Sequence, residues 1–414
     1  MKYHIRIAAA AAMVSLAACS DSPGGTGLAR IEPASEDLTL SMFRSGATHP
    51  FGYVAMGTSV SMGWMDDGVV GSSQAKSWTK QLAEGAGVPF DVPSIDAPGC
   101  QPPLAAPLIA FKRVDGSSGA PGNTTCAPNA PGVTLPTHNL AVENATAGEG
   151  LNATPETASA GRGPVTSRVL PSGTTQVTAM RSLRPLFVSV EFGGNELLPA
   201  QVGIVVPGLT VVPFETFQAN YEQIISNVKE THARAVLVSI RTDLRNFPTI
   251  RTGAEIASQR EAFKAYNVRV SDDCDASENF VFVRGKVPTA VLTGVAMAPL
   301  GVPYVLSCAD LPGKVDFILT PADIQYLNNL GDRMSDEIER QAAKHRYAVF
   351  SLGELYNTSK DGVKFDLEAY LKSATPYGPK ISLDGVHPNE EGHRILAAAA
   401  RKAIIARYLH RIAD

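Results

Sequence analysis

The chain has no run of basic residues, no Cys-x-x-Cys pair and only 18% charged side chains. With 36 Lys and Arg against 40 Asp and Glu, its formal charge is −4, so it lacks the electrostatic footprint of nucleic-acid binding. The cysteine spacing offers no zinc site. The acidic pairs Asp66-Asp67 and Asp272-Asp273 lack the ordered ligand spacing of a calcium loop and are expected in solvated loops. No metal is expected. Also missing are a Gly-x-Ser-x-Gly elbow, a Gly-Lys-Ser/Thr phosphate loop and a His-Glu-x-x-His pair. Their absence argues against a typical α/β-hydrolase, a nucleotide-dependent enzyme and a zincin, and no cofactor is expected. What is present, 44% hydrophobic residues over 414 positions, is the composition of a globular chain. The length allows two or three domains, or one enlarged α/β domain. No internal repeat is evident.

The first residues carry a compartment signal. Lys2 and Arg6 precede a short apolar stretch, Ile7 to Leu16, and small residues follow. This is the pattern of an export signal rather than a membrane span. Leu16-Ala17-Ala18-Cys19 resembles the bacterial lipoprotein lipobox. The resemblance implies a signal peptide over 1–18, cleavage before Cys19, acylation of that cysteine and a membrane partner through the lipid. Ser20 after it is compatible with outer-membrane sorting, which implies a place in the cell envelope. Residues 19–46, with Ser, Gly, Pro and Asp, read as a flexible tether. Four cysteines then remain: Cys100, Cys126, Cys274 and Cys308. Export permits disulfides, and four cysteines allow three connectivities. The sequence-near pairing, Cys100 with Cys126 and Cys274 with Cys308, is expected because each pair brackets a loop-rich insertion.

Residues 47–414 form the folded part. Phe51 to Gly57 reads as a buried strand ending in a turn, and Gln74 to Gly85 as an amphipathic helix. Residues 98–180 read as long loops holding short elements. Strands are expected at 186–192, 235–240 and 347–352, with helices at 214–231, 321–345 and 389–412. Pro321 follows Thr320 at a plausible first helical position. Residues 246–318 read as a second irregular region. Strands alternating with helices argue for a parallel sheet covered on both faces, with ligands beyond the carboxyl ends of its strands.

Three polar segments lie at such ends. Gly57-Thr58-Ser59 follows the first strand; the glycine allows a tight turn that presents the hydroxyl. Alone, that serine reads as a plain N-cap. As a nucleophile it needs a base. Asp384-Gly385-Val386-His387-Pro388 precedes the last helix, and a carboxylate three residues from a histidine can fix its tautomer and stabilise the imidazolium. Alone, the pair reads as surface capping. Gly193-Gly194-Asn195-Glu196 ends a middle strand; its amide can donate to a developing oxyanion and its glycines admit a substrate closely. Alone, it is a turn. Trp64 and Met65 either line a pocket or pack under a loop, and His393 reads as surface or packing.

Taken in order, these segments resemble the SGNH (GDSL-type) hydrolase family. Tyr53-Val-Ala-Met-Gly57-Thr58-Ser59-Val60 is similar to its first block, Asn139 to Thr146 to its second, Gly193 to Asn195 to its third, and Asp384 to Gly392 to its fifth. The resemblance implies a three-layer α/β/α, flavodoxin-like fold interrupted by insertions near 98–180 and 246–318. It implies a serine esterase acting on lipid esters, acylated glycans or exogenous esters, with Ser59 as nucleophile, His387 as general base and then acid, and Asp384 as orienter. The implied oxyanion hole comprises the backbone N–H groups of Ser59 and Asn144 and the side chain of Asn195, supported by Gly57, Gly193 and Gly194. Three departures stand out: Thr58 and Glu196 where the family has Asp, and Asn144 where it has Gly. With the insertions, they motivate a competing reading, a catalytically silent surface lipoprotein binding polysaccharide or lipid.

Overall fold

The computed structural model describes residues 52–120, 122–159 and 162–409. The expected signal segment, Cys19 and the tether at 19–46 lie outside the described residues.

Four short apolar runs form a parallel sheet: β1 (Tyr53–Met56), β2 (Phe187–Glu191), β3 (Arg234–Ser239) and β9 (Ala348–Ser351), side by side in that order. Every residue of β1 and β2 is buried, as expected of strands covered on both faces. Segment 138–142 runs along the free edge of β1. Ala55 N–H donates to His138 O at 2.9 Å, and Leu140 N–H and Val142 N–H donate to Ala55 O and Gly57 O at 2.8 and 3.1 Å. Counting it, the spatial order is 2-1-3-4-5 in chain sequence, the flavodoxin-like arrangement.

That order reverses direction at β1, so right-handed crossovers place the connecting helices on opposite faces. Helix α1 is the single turn Ser59–Met62, and α2 spans Trp78–Gly85. Helix α3 is Ala147–Asn152, α4 Gln176–Leu183 and α5 Phe214–Glu230. Helix α6 is Val283–Met297, α7 Pro321–His345 and α8 Glu390–Tyr408. On one face α2 packs against α8, which covers β9; on the other α4, α5 and α7 cover β1 to β3. The result is a three-layer α/β/α fold. His393, on α8, is fully buried and its Nδ1 accepts the Trp78 N–H at 3.2 Å, so it is a packing residue joining α2 to α8.

Both insertions contain more order than expected. In the first, α4 has a Thr175/Thr178 capping box. The second, expected as irregular, holds an antiparallel sheet of β4 (Ile250–Thr252), β6 (Phe280–Phe282) and β8 (Ile318–Leu319). A parallel pair, β5 (Val268–Val270) and β7 (Tyr304–Leu306), and helix α6 complete it. Disulfides join Cys100 to Cys126 and Cys274 to Cys308, the sequence-near pairing.

Candidate active site

The turn that presents Ser59 is built where β1 ends. Gly57 has φ of +156°, and a Cβ there would lie 2.7 Å from the Glu191 carbonyl oxygen, so only glycine lets the chain pass this close to β2. Thr58 caps α1, which leaves Ser59 at the first helical position, where the backbone N–H has no intrahelical acceptor. Sequence reasoning missed the group that holds this turn. The Glu191 carboxylate, buried at the end of β2, accepts the Thr58 N–H at 3.0 Å, the Thr58 hydroxyl at 2.8 Å and the Ser61 hydroxyl at 3.0 Å. Burial pushes its carboxyl up to about 6 despite those donors. A lone acid inside the apolar run 186–192 was the available signal, because a buried carboxylate requires partners.

The loop before α8 brings the histidine to the same point. Ser382 N–H donates to His387 O at 2.9 Å, and Tyr356 hydroxyl donates to Val386 O at 2.9 Å, pinning the turn. His387 Nε2 lies 2.9 Å from Ser59 Oγ, although the two are 328 positions apart in the chain. Its Nδ1 lies 2.9 Å from Asp384 Oδ2. Asp384 is wholly buried, and its other oxygen accepts the Val386 and His387 N–H groups at 2.8 Å each. Burial alone would raise its carboxyl, but the His387 ring, the Arg284 guanidinium and these donors hold it well below the usual carboxylate range.

Asp66 and Asp67 are not the solvated acids expected. Both take left-handed backbone angles, φ +54° and +56°, and turn into the site. Asp67 N–H donates to Asp384 Oδ2 at 2.8 Å, and Asp66 Oδ1 accepts the Leu383 N–H at 2.7 Å. Burial, with Asp384 nearby, pushes the Asp66 carboxyl up to about 6. The Asp67 carboxylate pairs with Arg113 at 2.8 Å and with Arg284. Nothing local in the sequence marks either arginine.

The three departures have structural counterparts. Thr58 serves as cap and as donor to Glu191. Asn144 has φ of +54°, the left-handed region that glycine occupies freely and asparagine tolerates. Glu196 is buried, and its Oε1 accepts the Ala147 N–H at 2.7 Å. Asn195 donates one amide hydrogen to Ala145 O at 3.1 Å, leaving its second for another acceptor. Gly193 (φ +123°) turns the chain against Ile240, where a Cβ would sit 3.2 Å from that side chain. Gly194 keeps open space above its Cα. The 143–147 and 193–196 segments are thus cross-braced.

Two cavities meet at His387. One is bordered by Ser59, Gly194 and Asn195 and then by apolar side chains; the other by Trp64, Asn144 and Arg284. Trp64 therefore faces a cavity, its ring centre 6.4 Å from that of His387, whereas Met65 is packed. A serine, an imidazole and a carboxylate in hydrogen-bonded series can move a proton from hydroxyl to ring, and free N–H groups beside them can receive an oxyanion.

Among solved structures the chain is similar to one described as a GDSL-like lipase from Parabacteroides merdae. The identity is 11% over 85% of this chain and 94% of that one, with a TM-score of 0.35. No curated protein matches the chain. The family model GDSL-like Lipase/Acylhydrolase matches residues 53–400, from β1 to within α8. The chain belongs to the GDSL-like lipase/acylhydrolase (SGNH) family.

Proposed function

We propose that the chain hydrolyses carboxylic esters through an acyl-enzyme on Ser59. The observation that carries this reading is the continuous series Ser59 Oγ, His387 Nε2, His387 Nδ1, Asp384 Oδ2, with 2.9 Å at each hydrogen bond. His387 takes the hydroxyl proton as Ser59 Oγ bonds to the ester carbonyl carbon. Asp384, held ionised, faces the imidazolium that forms. The tetrahedral oxyanion is met by the backbone N–H groups of Ser59 and Asn144 and by the unused amide hydrogen of Asn195. The C–O bond then breaks, and His387 passes its proton to the leaving alcohol. Water, deprotonated by His387, attacks the acyl carbon and releases the acid, restoring Ser59.

Replacing Ser59 by Ala removes the bond-forming atom. Hydrolysis of a chromogenic ester is expected to fall by roughly 10⁶-fold while the thermal transition persists. A fluorophosphonate probe, which needs an activated hydroxyl, labels the native chain and not the variant. A native chain that stays unlabelled and inert, or a Ser59→Ala variant with full turnover, refutes the reading.

A further inference from the structure

We infer that the substrates carry an extended apolar acyl chain, seated in the cavity beside Ser59 and gauged by the second insertion. This rests on the esterase reading and names its substrate class. The argument begins with which groups border which cavity. One cavity touches Ser59, Gly194 and Asn195, with Glu191 beside them, and its walls are otherwise largely apolar, among them Ile240, Leu244, Phe247, Phe282, Leu319 and Leu327. The other cavity touches His387 but not Ser59; besides apolar walls such as Phe111, Leu292 and Phe317, its border carries the ionisable groups of Lys112, Glu143 and Arg284.

Acyl transfer dictates which half of an ester enters each. The carbonyl carbon must bond to Ser59 Oγ, so the acyl chain departs from the Ser59 side, past Asn195, into the apolar cavity. The leaving oxygen must reach the His387 proton, so the alcohol occupies the cavity that His387 shares and Ser59 does not. An acetyl group leaves the apolar walls unoccupied. Each methylene that reaches them is removed from water, which raises kcat/KM by about fourfold.

The depth of this cavity is set outside the central sheet. Ile250 of β4, Phe282 of β6 and Leu319 of β8 all border it, and these are the three strands of the small sheet in the second insertion. Leu327 of α7 and Leu244, after β3, also border it. The insertion, rather than the sheet that carries Ser59, is therefore the chain-length gauge. The same residues make unsubstituted O-acetyl groups poor substrates.

The test is a p-nitrophenyl ester series from acetate to dodecanoate with the full chain. kcat/KM is expected to rise by about fourfold per methylene until the cavity is filled, then level off. Leu244→Trp fills space in the cavity and should lower the octanoate-to-acetate ratio of kcat/KM at least tenfold. Leu327→Ala enlarges it and should move the optimum to longer chains, a second readout should the tryptophan variant fail to fold. A profile flat or falling from acetate onward, or an optimum unmoved in a folded cavity variant, with Ser59 still labelled by fluorophosphonate, overturns the inference and leaves the esterase reading standing. No labelling and no turnover of any ester overturns the esterase reading itself, and this inference with it.

Discussion

In the proposed mechanism Asn144 and Asn195 contribute different groups to one oxyanion site, and substitution separates them. There the main chain of Asn144 is the donor, and its side chain, which donates to Glu143 Oε1, bears on the site chiefly through φ, +54° here. Asn144→Gly keeps that conformation at no steric cost and should retain kcat within a few-fold. A β-branched residue in the left-handed region is strained by about 1–2 kcal/mol, so Asn144→Val should lose roughly tenfold in kcat. Asn195 contributes an amide hydrogen, and Asn195→Ala should lower kcat by about 10²–10³-fold with a smaller change in KM. Steady-state kinetics on a soluble ester checks all three; Asn195→Ala within twofold of wild type would remove its amide from the mechanism. At this scale the groups that converge were legible because Asp384, His387 and Asn195 each stand beside a glycine or proline, and Ser59 two residues past Gly57, at the end of an element. Their supports were not. Glu191 lies inside a strand, and Asp67 looks like any acid in a loop until its N–H is seen to donate to Asp384 at 2.8 Å.

Elements meet at the site through buried carboxyls, and these make the fold sensitive to pH. Glu196 ties the start of α3 to the end of β2 by accepting the Ala147 N–H at 2.7 Å. Burial raises its carboxyl from the ordinary 4.5 to about 7. Between those values the folded chain holds a proton that the unfolded chain has released. Stability is therefore greatest below about pH 4.5 for this group and is lost as pH rises through 7, by about 3 kcal/mol in all. Glu196→Gln keeps an acceptor and cannot titrate, so its melting temperature should fall by several degrees less than the wild type's between pH 5 and 8. The raised carboxyls of Asp66, Glu143 and Glu191 stay in both proteins and cancel in the difference. Parallel melting curves over that range would dismiss Glu196 as a titrating brace. Elements were legible where one face alone is apolar. α7 was expected at 321–345 from Ile324, Leu327, Leu330 and Ile338, and it spans Pro321–His345. α6 was not expected, because its apolar residues surround the axis, Pro288 sits within it, and Gly294 packs against Tyr266 O, where a Cβ would lie at 2.4 Å. Helical periodicity is invisible in a segment apolar on every side.

Across the whole molecule, the two insertions converge on the residue that steadies Asp384. Arg113 lies between Cys100 and Cys126 in the first insertion and is 1% exposed. Arg284 lies between Cys274 and Cys308 in the second. Both guanidiniums meet the Asp67 carboxylate, while the Asp67 backbone N–H donates to Asp384. Such a junction joins groups far apart in sequence with no local pattern, so the insertions read as appendages rather than as parts of the site. The charge and the backbone of Asp67 can be tested separately. Asp67→Asn keeps the N–H directed at Asp384, and asparagine tolerates the left-handed angle of +56° at that position. It also leaves the buried Arg113 without its counter-charge, and breaking a buried pair costs about 3–5 kcal/mol. Denaturant unfolding should therefore show a large loss of stability, while kcat measured well below the transition falls less than tenfold. Stability unchanged in Asp67→Asn would mean the arginines are satisfied by their main-chain acceptors alone, Pro102 O at 2.7 Å and Asp67 O at 2.9 Å for Arg113. The insertions would then be held to the sheet by their apolar contacts, and the Asp67 charge would not be the link between their arginines and Asp384.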